Sequence, residues 1–211
     1  MDLLRASLQS AIRHLCFLSF IILSRACYKL ATVITLTTGY AMKILSLMKI
    51  ADIFTVGNLC CGIVSILLAV DGFYDLSALL LFLAVVFDVL DGKIAGLLHQ
   101  KNLFGKQIDS MSDLVSFGVA PALLFYSLSS PGVLGIAVAL FFVACGMLRL
   151  ARYNISEGTG FEGVPITVNG VLFPVLFLLF GSFPQSLNYW PVVFLIQGFL
   201  MISTFKISRI F

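Results

Sequence analysis

Six apolar runs, at about 53–72, 76–99, 108–127, 131–153, 167–184 and 190–205, occupy most of this 211-residue chain and leave little sequence for a water-facing surface. A helix needs roughly 20 apolar residues to cross a hydrocarbon core, so each run is a candidate span. Lipid offers no partners to exposed backbone groups. A spanning segment must close its own hydrogen bonds, and runs this long and uniformly apolar suit helices rather than barrel strands. Composition agrees, since only 11% of the residues are charged, against about a quarter in soluble domains. The expected fold is all-α, a polytopic integral membrane protein with about six transmembrane helices. The last run, from Trp190 to Phe205, is short for ordinary hydrocarbon thickness and relies on local thinning and on Trp190 anchoring at the interface.

The basic residues are segregated. Lys43 and Lys49 precede the first run, Lys93, Lys101 and Lys106 surround the second connection, Arg149 and Arg152 lie at the fourth, and Lys206 and Arg209 end the chain. The connections near 71–75, 128–131 and 183–190 carry no Lys or Arg. By the positive-inside rule both ends of the core and the charged connections face the cytoplasm. The expected location is a cytoplasmic membrane, or an endomembrane in a eukaryote. A formal charge of +3 is too small to indicate a nucleic-acid partner.

Residues 1–41 fit no clean span, because Arg13, Arg25 and Lys29 interrupt their apolar stretches. They read as an N-terminal extension, either an amphipathic surface segment or sequence upstream of a start at Met42. From Met42 the chain runs MKILSLMKIADIFTVGN, a basic entry into the first span, and 42–211 reads as one membrane domain. Cys16, Cys27, Cys60, Cys61 and Cys145 show neither metal-ligand nor disulfide spacing and read as packing residues. His14 and His99 have no partner at ligand spacing.

Carboxylates are the exception to this apolar pattern. Asp88 and Asp91 are three apart at the end of the second run, and Asp109 and Asp113 are four apart at the start of the third. On helices each pair shares a face, and an antiparallel hairpin through the basic connection brings the pairs together. Acids gathered near a bilayer need a compensating charge. Mg²⁺ and Mn²⁺ prefer such hard oxygen ligands, and two ions about 4 Å apart can clamp a phosphoryl group. Phosphoryl transfer is the chemistry this suits. Two other readings stand beside it: a solvated network with Lys93, Lys101 and Lys106, and a proton or cation pathway, which explains the acids but not the glycines between them. Gly92 and Gly105 either open space for a ligand or allow close helix packing.

Arg149 and Arg152 share a helix face and either read a planar carboxylate or anchor to anionic headgroups. Glu157 and Glu162, among Gly158, Gly160 and Gly163, form either a segment that closes over a site or a plain solvated loop.

Read together, 88–113 is DVLDGKIAGLLHQKNLFGKQIDSMSD, which resembles the CDP-alcohol phosphatidyltransferase signature D-x-x-D-G-x-x-A-R-x8-G-x3-D-x3-D in every element but one. Further on, SDLVSFGVAPALL at 112–124, LRLARYN at 148–154 and GVPITVNG at 163–170 look like the phosphatidylserine synthase branch, and the likeness covers nearly all of 42–211.

The resemblance implies that Asp88, Asp91, Asp109 and Asp113 hold two Mg²⁺ or Mn²⁺ ions and that Asp113 is also the catalytic base toward the acceptor hydroxyl. It implies a CDP-lipid site formed by Thr55, Asn58, Asp91, Gly92, Ala95, Asn102 and Gly105, with CDP-diacylglycerol or an ether analogue as donor and L-serine as acceptor. Arg149 and Arg152 become candidates for binding the serine carboxylate. The products would be phosphatidylserine, or its ether counterpart, and CMP, formed by a homodimer at the cytoplasmic face. The departure is Gly96, where the family has an arginine expected to bind the diphosphate, and Lys93 or Lys106 is the replacement charge at hand. A sibling enzyme using glycerol 3-phosphate or an inositol phosphate, and a non-catalytic transporter or scaffold with a metal site, are the competing functions.

Overall fold

In the computed structural model, residues 49–98, 102–129, 132–155, 161–181, 188–203 and 206–207 are described. The expectations for 1–48, including the Met42 start, and for Glu157, Gly158 and Gly160 lie outside them. Ile50–Val70 (α1) and Tyr74–Leu97 (α2) form an antiparallel hairpin. Its turn needs Gly72, whose φ of 85° lies in the left-handed region. Close to the turn, the Ser65 and Ser77 hydroxyls each lie 2.9 Å from the other residue's backbone carbonyl. That reciprocal pair and the buried Ala69, Ala78 and Ala84 let the two backbones approach closely.

Leu103–Asp113 (α3) begins at Asn102, whose side-chain oxygen accepts from the Gly105 N–H at 2.6 Å, an ordinary Asx N-cap. The helix runs on through a wide π-turn at Leu114–Val119 into Ala120–Ser129 (α4). Two serines fasten this stretch to α1: Ser112 Oγ donates to the Thr55 carbonyl and Ser116 Oγ to the Asn58 carbonyl, both at 3.0 Å. Pro121 has no N–H for the Phe117 carbonyl that lies four residues back. Asn169 Nδ2 supplies the missing donor at 3.1 Å, and Gln197 Nε2 in turn donates to Asn169 Oδ1 at 2.7 Å. A buried amide relay therefore replaces the bond that proline removes.

Gly132–Ile155 (α5) packs against Trp190–Ile202 (α7), and Asn169–Phe180 (α6) lies against α2. Phe125, Phe142, Phe173, Phe194 and Trp190 form the aromatic core, with Phe173 and Phe194 stacked 4.0 Å apart. Trp190 differs from its expected interfacial place: at 6% exposure it stacks on Phe125 and Phe173 inside the protein. Outward positions are apolar, among them Ile63, Val64 and Leu67 on α1 and Leu134 and Leu140 on α5, a surface suited to lipid.

The all-helical membrane character expected from the sequence is present. Among the described residues three helical stretches, Ala51–Val70, Leu103–Ser129 and Gly132–Ile155, are long and apolar enough to cross a bilayer. The second run forms a helix of 24 residues, long enough to span, but it carries Asp75, Asp88, Asp91 and Lys93. The fifth and sixth runs form the shorter apolar helices Ile166–Phe180 and Trp190–Ile202.

Candidate active site

A cavity of about 540 Å³ opens between the first turns of α1, the last turns of α2, the start of α3 and the end of α5. Thr55, Asp91, Gly92, Ala95, Asn102, Gly105 and Asp109 line it, so seven of the residues singled out in the sequence converge on one space. α1 brings them together: α2 and α3 both pack against it rather than against each other, and its Thr55 and Asn58 meet Asp91 of α2 and Asp113 of α3.

Asp88, Asp91 and Asp109 each present a carboxylate oxygen, and the three atoms lie within 4.8 Å of one another. Asp113 joins through Asp88, whose side chain is within hydrogen-bonding reach of it. Two carboxyl groups at that range need a proton or a cation between them. Asp109 Oδ1 is buried with no hydrogen-bond partner among the described residues. An unpartnered buried carboxylate oxygen facing two further carboxylates is what a hard divalent cation would satisfy, so the donor set fits Mg²⁺ or Mn²⁺.

Thr55 Oγ1 donates to Asp91 Oδ2 at 2.8 Å, and Asn58 Nδ2 donates to Asp113 Oδ1 at 3.1 Å. Thr55 also borders the cavity, whereas Asn58 is 0% exposed and, like Asp88 and Asp113, does not line it. Their polar atoms therefore orient these two carboxylates. Gly92 opens space: a Cβ there would meet nothing within 4 Å, which removes the close-packing reading. Gly105 has the opposite reason, because a Cβ would sit 2.7 Å from Asn102 Oδ1 and 3.0 Å from Asp52 Oδ1.

The two arginines separate. Arg152 donates to the carbonyls of Ile202 at 3.1 Å, Met201 at 3.5 Å and Ser203 at 3.2 Å, and so closes the C-terminal end of α7. Arg149 is 7% exposed, its Nε has no hydrogen-bond partner among the described residues, and its charge lies near that of Asp113. Of the two lysines weighed as replacement charges, Lys93 is exposed and Lys106 lines the cavity. Lys106 Nζ donates to the carbonyls of Tyr153 at 3.3 Å and Asn154 at 3.2 Å and lies 4.8 Å from the Tyr153 ring centroid. A Cβ on Gly96 would meet nothing within 4 Å, so a side chain can start there without a clash.

Sequence reasoning missed Asp52, a buried carboxylate that shares the cavity wall with Asp91 and Asp109 and accepts from the Lys49 N–H at 2.8 Å. The signal was present as a polar stripe, Asp52, Thr55, Asn58 and Ser65, on one face of an otherwise apolar helix. All four are buried.

The family model for CDP-alcohol phosphatidyltransferase matches residues 48–203. This chain belongs to the CDP-alcohol phosphatidyltransferase family. It is similar to the archaetidylserine synthase of Methanothermobacter thermautotrophicus, 38% identical over 173 residues covering 80% of this chain and 73% of that protein. It resembles the CDP-diacylglycerol--serine O-phosphatidyltransferase of Methanocaldococcus jannaschii at 37% identity, covering 79% and 77%. The Bacillus subtilis protein of the same name is 33% identical, covering 72% of this chain and 85% of its own length. Of the four acids in the signature-like stretch, Asp91 and Asp109 line the cavity and Asp88 lies against them.

Proposed function

We propose that this chain transfers a phosphatidyl group from CDP-diacylglycerol, or its ether-linked analogue, to the hydroxyl of L-serine, giving phosphatidylserine or its ether counterpart and CMP. The observation that carries the reading is the meeting of Asp88 with Asp91 and Asp109, two carboxylates that line a cavity also walled by Thr55, Gly92, Ala95, Asn102 and Gly105. Relatives named for serine as acceptor support the choice of substrate.

Asp88, Asp91, Asp109 and Asp113 would hold two Mg²⁺ or Mn²⁺ ions, which supply Lewis acidity toward the negative oxygens of the donor diphosphate. Thr55 and Asn58 fix the Asp91 and Asp113 carboxylates by one hydrogen bond each. Asp113 takes the proton of the serine hydroxyl, the hydroxyl oxygen bonds to the lipid-side phosphorus, and the bond from that phosphorus to the CMP oxygen breaks. Gly92 leaves room for the nucleotide, and Arg149 binds the serine carboxylate while Arg152 holds the end of α7 in place.

The same proposal makes 42–211 the catalytic membrane domain, with six spans, both core ends and the site cytoplasmic, and a homodimer as the assembly. Residues 1–41 have no part in the reaction under this proposal. CMP release from purified protein in detergent, with CDP-diacylglycerol and Mn²⁺, tests the reaction. Serine-dependent CMP in the wild type is expected. Activity only in Gly96→Arg would mean a disabled donor site, and CMP from neither protein would sink the transferase reading.

A further inference from the structure

Among the described residues that line the cavity, Lys106 is the only basic one, and it shares the wall with the carboxylates of Asp52, Asp91 and Asp109. Asp109 lies three residues further along α3, the spacing at which a lysine and an acid on one helix ordinarily pair. No such pair forms here. The ammonium turns across to the end of α5 instead, donating to the carbonyls of Tyr153 at 3.3 Å and Asn154 at 3.2 Å, and it lies 4.8 Å from the Tyr153 ring centroid. Those carbonyls belong to the last turn of α5, where the helix offers them no N–H of its own. Each of these contacts is with a neutral group. The positive charge therefore stays unpaired at the cavity wall, and Asp109 Oδ1 keeps no hydrogen-bond partner among the described residues.

An ammonium has three N–H donors, and the two carbonyls engage two of them. Nor does the contact between α3 and α5 depend on Lys106, because the Asn154 amide also donates to Ser110 Oγ at 2.9 Å. Capping α5 thus accounts for where the side chain is anchored, but not for a cation set beside three acids and apart from them. With divalent cations on the carboxylates the local field reverses, and a wall that also carries an ammonium suits an anion. Gly96 carries no charge, and Lys93 is exposed and does not line this space. We infer that Lys106 is a binding residue for the donor's diphosphate: anchored on the α5 carbonyls, its ammonium gives the remaining N–H to a phosphate oxygen. The inference rests on the CDP-lipid reading of the cavity given above.

The test compares two affinities of purified protein in detergent: CDP, the soluble part of the donor, titrated calorimetrically in the presence of Mn²⁺, and Mn²⁺ alone, read as loss of the free-ion electron paramagnetic resonance signal. A hydrogen bond from a charged group is worth about tenfold or more in affinity, so Lys106→Met is expected to bind CDP at least about tenfold more weakly. Mn²⁺ alone should bind as tightly as in the wild type or more so, because a positive charge has left the neighbourhood of the acids. A residue that only ties α3 to α5 would lower both affinities together. If Lys106→Met unfolds at a lower temperature than wild type, Lys106→Gln keeps an N–H for the α5 carbonyls without the charge, and the same split between CDP and Mn²⁺ is expected. Wild-type CDP affinity in both variants, or parallel losses of CDP and Mn²⁺ binding, would overturn the role of the ammonium. A wild-type protein that binds Mn²⁺ but not CDP would remove the donor-site reading itself, and this inference with it.

Discussion

Asn58 and Asp113 show how one hydrogen bond divides a structural role from a chemical one. The Asn58 amide, fully buried, donates to Asp113 Oδ1, while the Asp113 side chain also meets Asp88. In Asp113→Asn the new amide oxygen still accepts from Asn58, and its N–H₂ replaces a carboxylate-to-carboxylate contact with a donor. We expect the unfolding temperature in detergent to stay level or rise, while turnover falls by about 10²–10⁴, the usual worth of a positioned base. Near-normal CMP release would remove Asp113 as the base. The four acids were legible beforehand because spacings of three and four are facial on any helix, whatever surrounds them. Asp52 was not, since a single acid beside Lys49 resembles the charged rim of a span. The arginines could not be separated either: Arg149 and Arg152 differ only in what faces them, the cluster in one case and the carbonyls of α7 in the other.

The least legible element is the turn after Asp113. Leu114–Val119 reads in sequence as plain apolar helix, and its π geometry is set by which backbone groups find partners, a matter of tertiary contacts. Pro121 did announce that a carbonyl would be left over, but its partner, Asn169, lies 52 residues from Phe117 and on another helix. Helix existence, by contrast, was readable from apolar length alone, and α3 starts five residues before its apolar run because Asn102 caps a polar first turn. Asn169→Leu should therefore strand the Phe117 carbonyl and the Gln197 amide together. Each buried orphan costs about 1–3 kcal/mol, so a clear drop in unfolding temperature is expected, and Gln197→Leu alone should cost less. Equal temperatures for wild type and Asn169→Leu would mean that the relay contributes nothing to the turn.

At the scale of the molecule, charge placement and site placement make the same demand. The cavity lies where α2 ends and α3 begins, the end of the hairpin bearing Lys93 and Lys106. The opposite end turns at Asp71–Gly72 and carries acids but no bases. A donor lipid approaching from the leaflet could keep its tails against the apolar outer faces and place its diphosphate among the carboxylates only if this end sits at the headgroup level. With the basic connections inside, that level is the cytoplasmic one. Single cysteines at Asp71 and at Lys93, both exposed, in a chain freed of its own five cysteines, probe this directly. In intact cells an impermeant maleimide should label the Asp71→Cys protein and reach the Lys93→Cys protein only after permeabilisation. The reverse pattern would turn the site to the outer face, where no cytoplasmic pool of nucleotide-activated lipid headgroups could supply it.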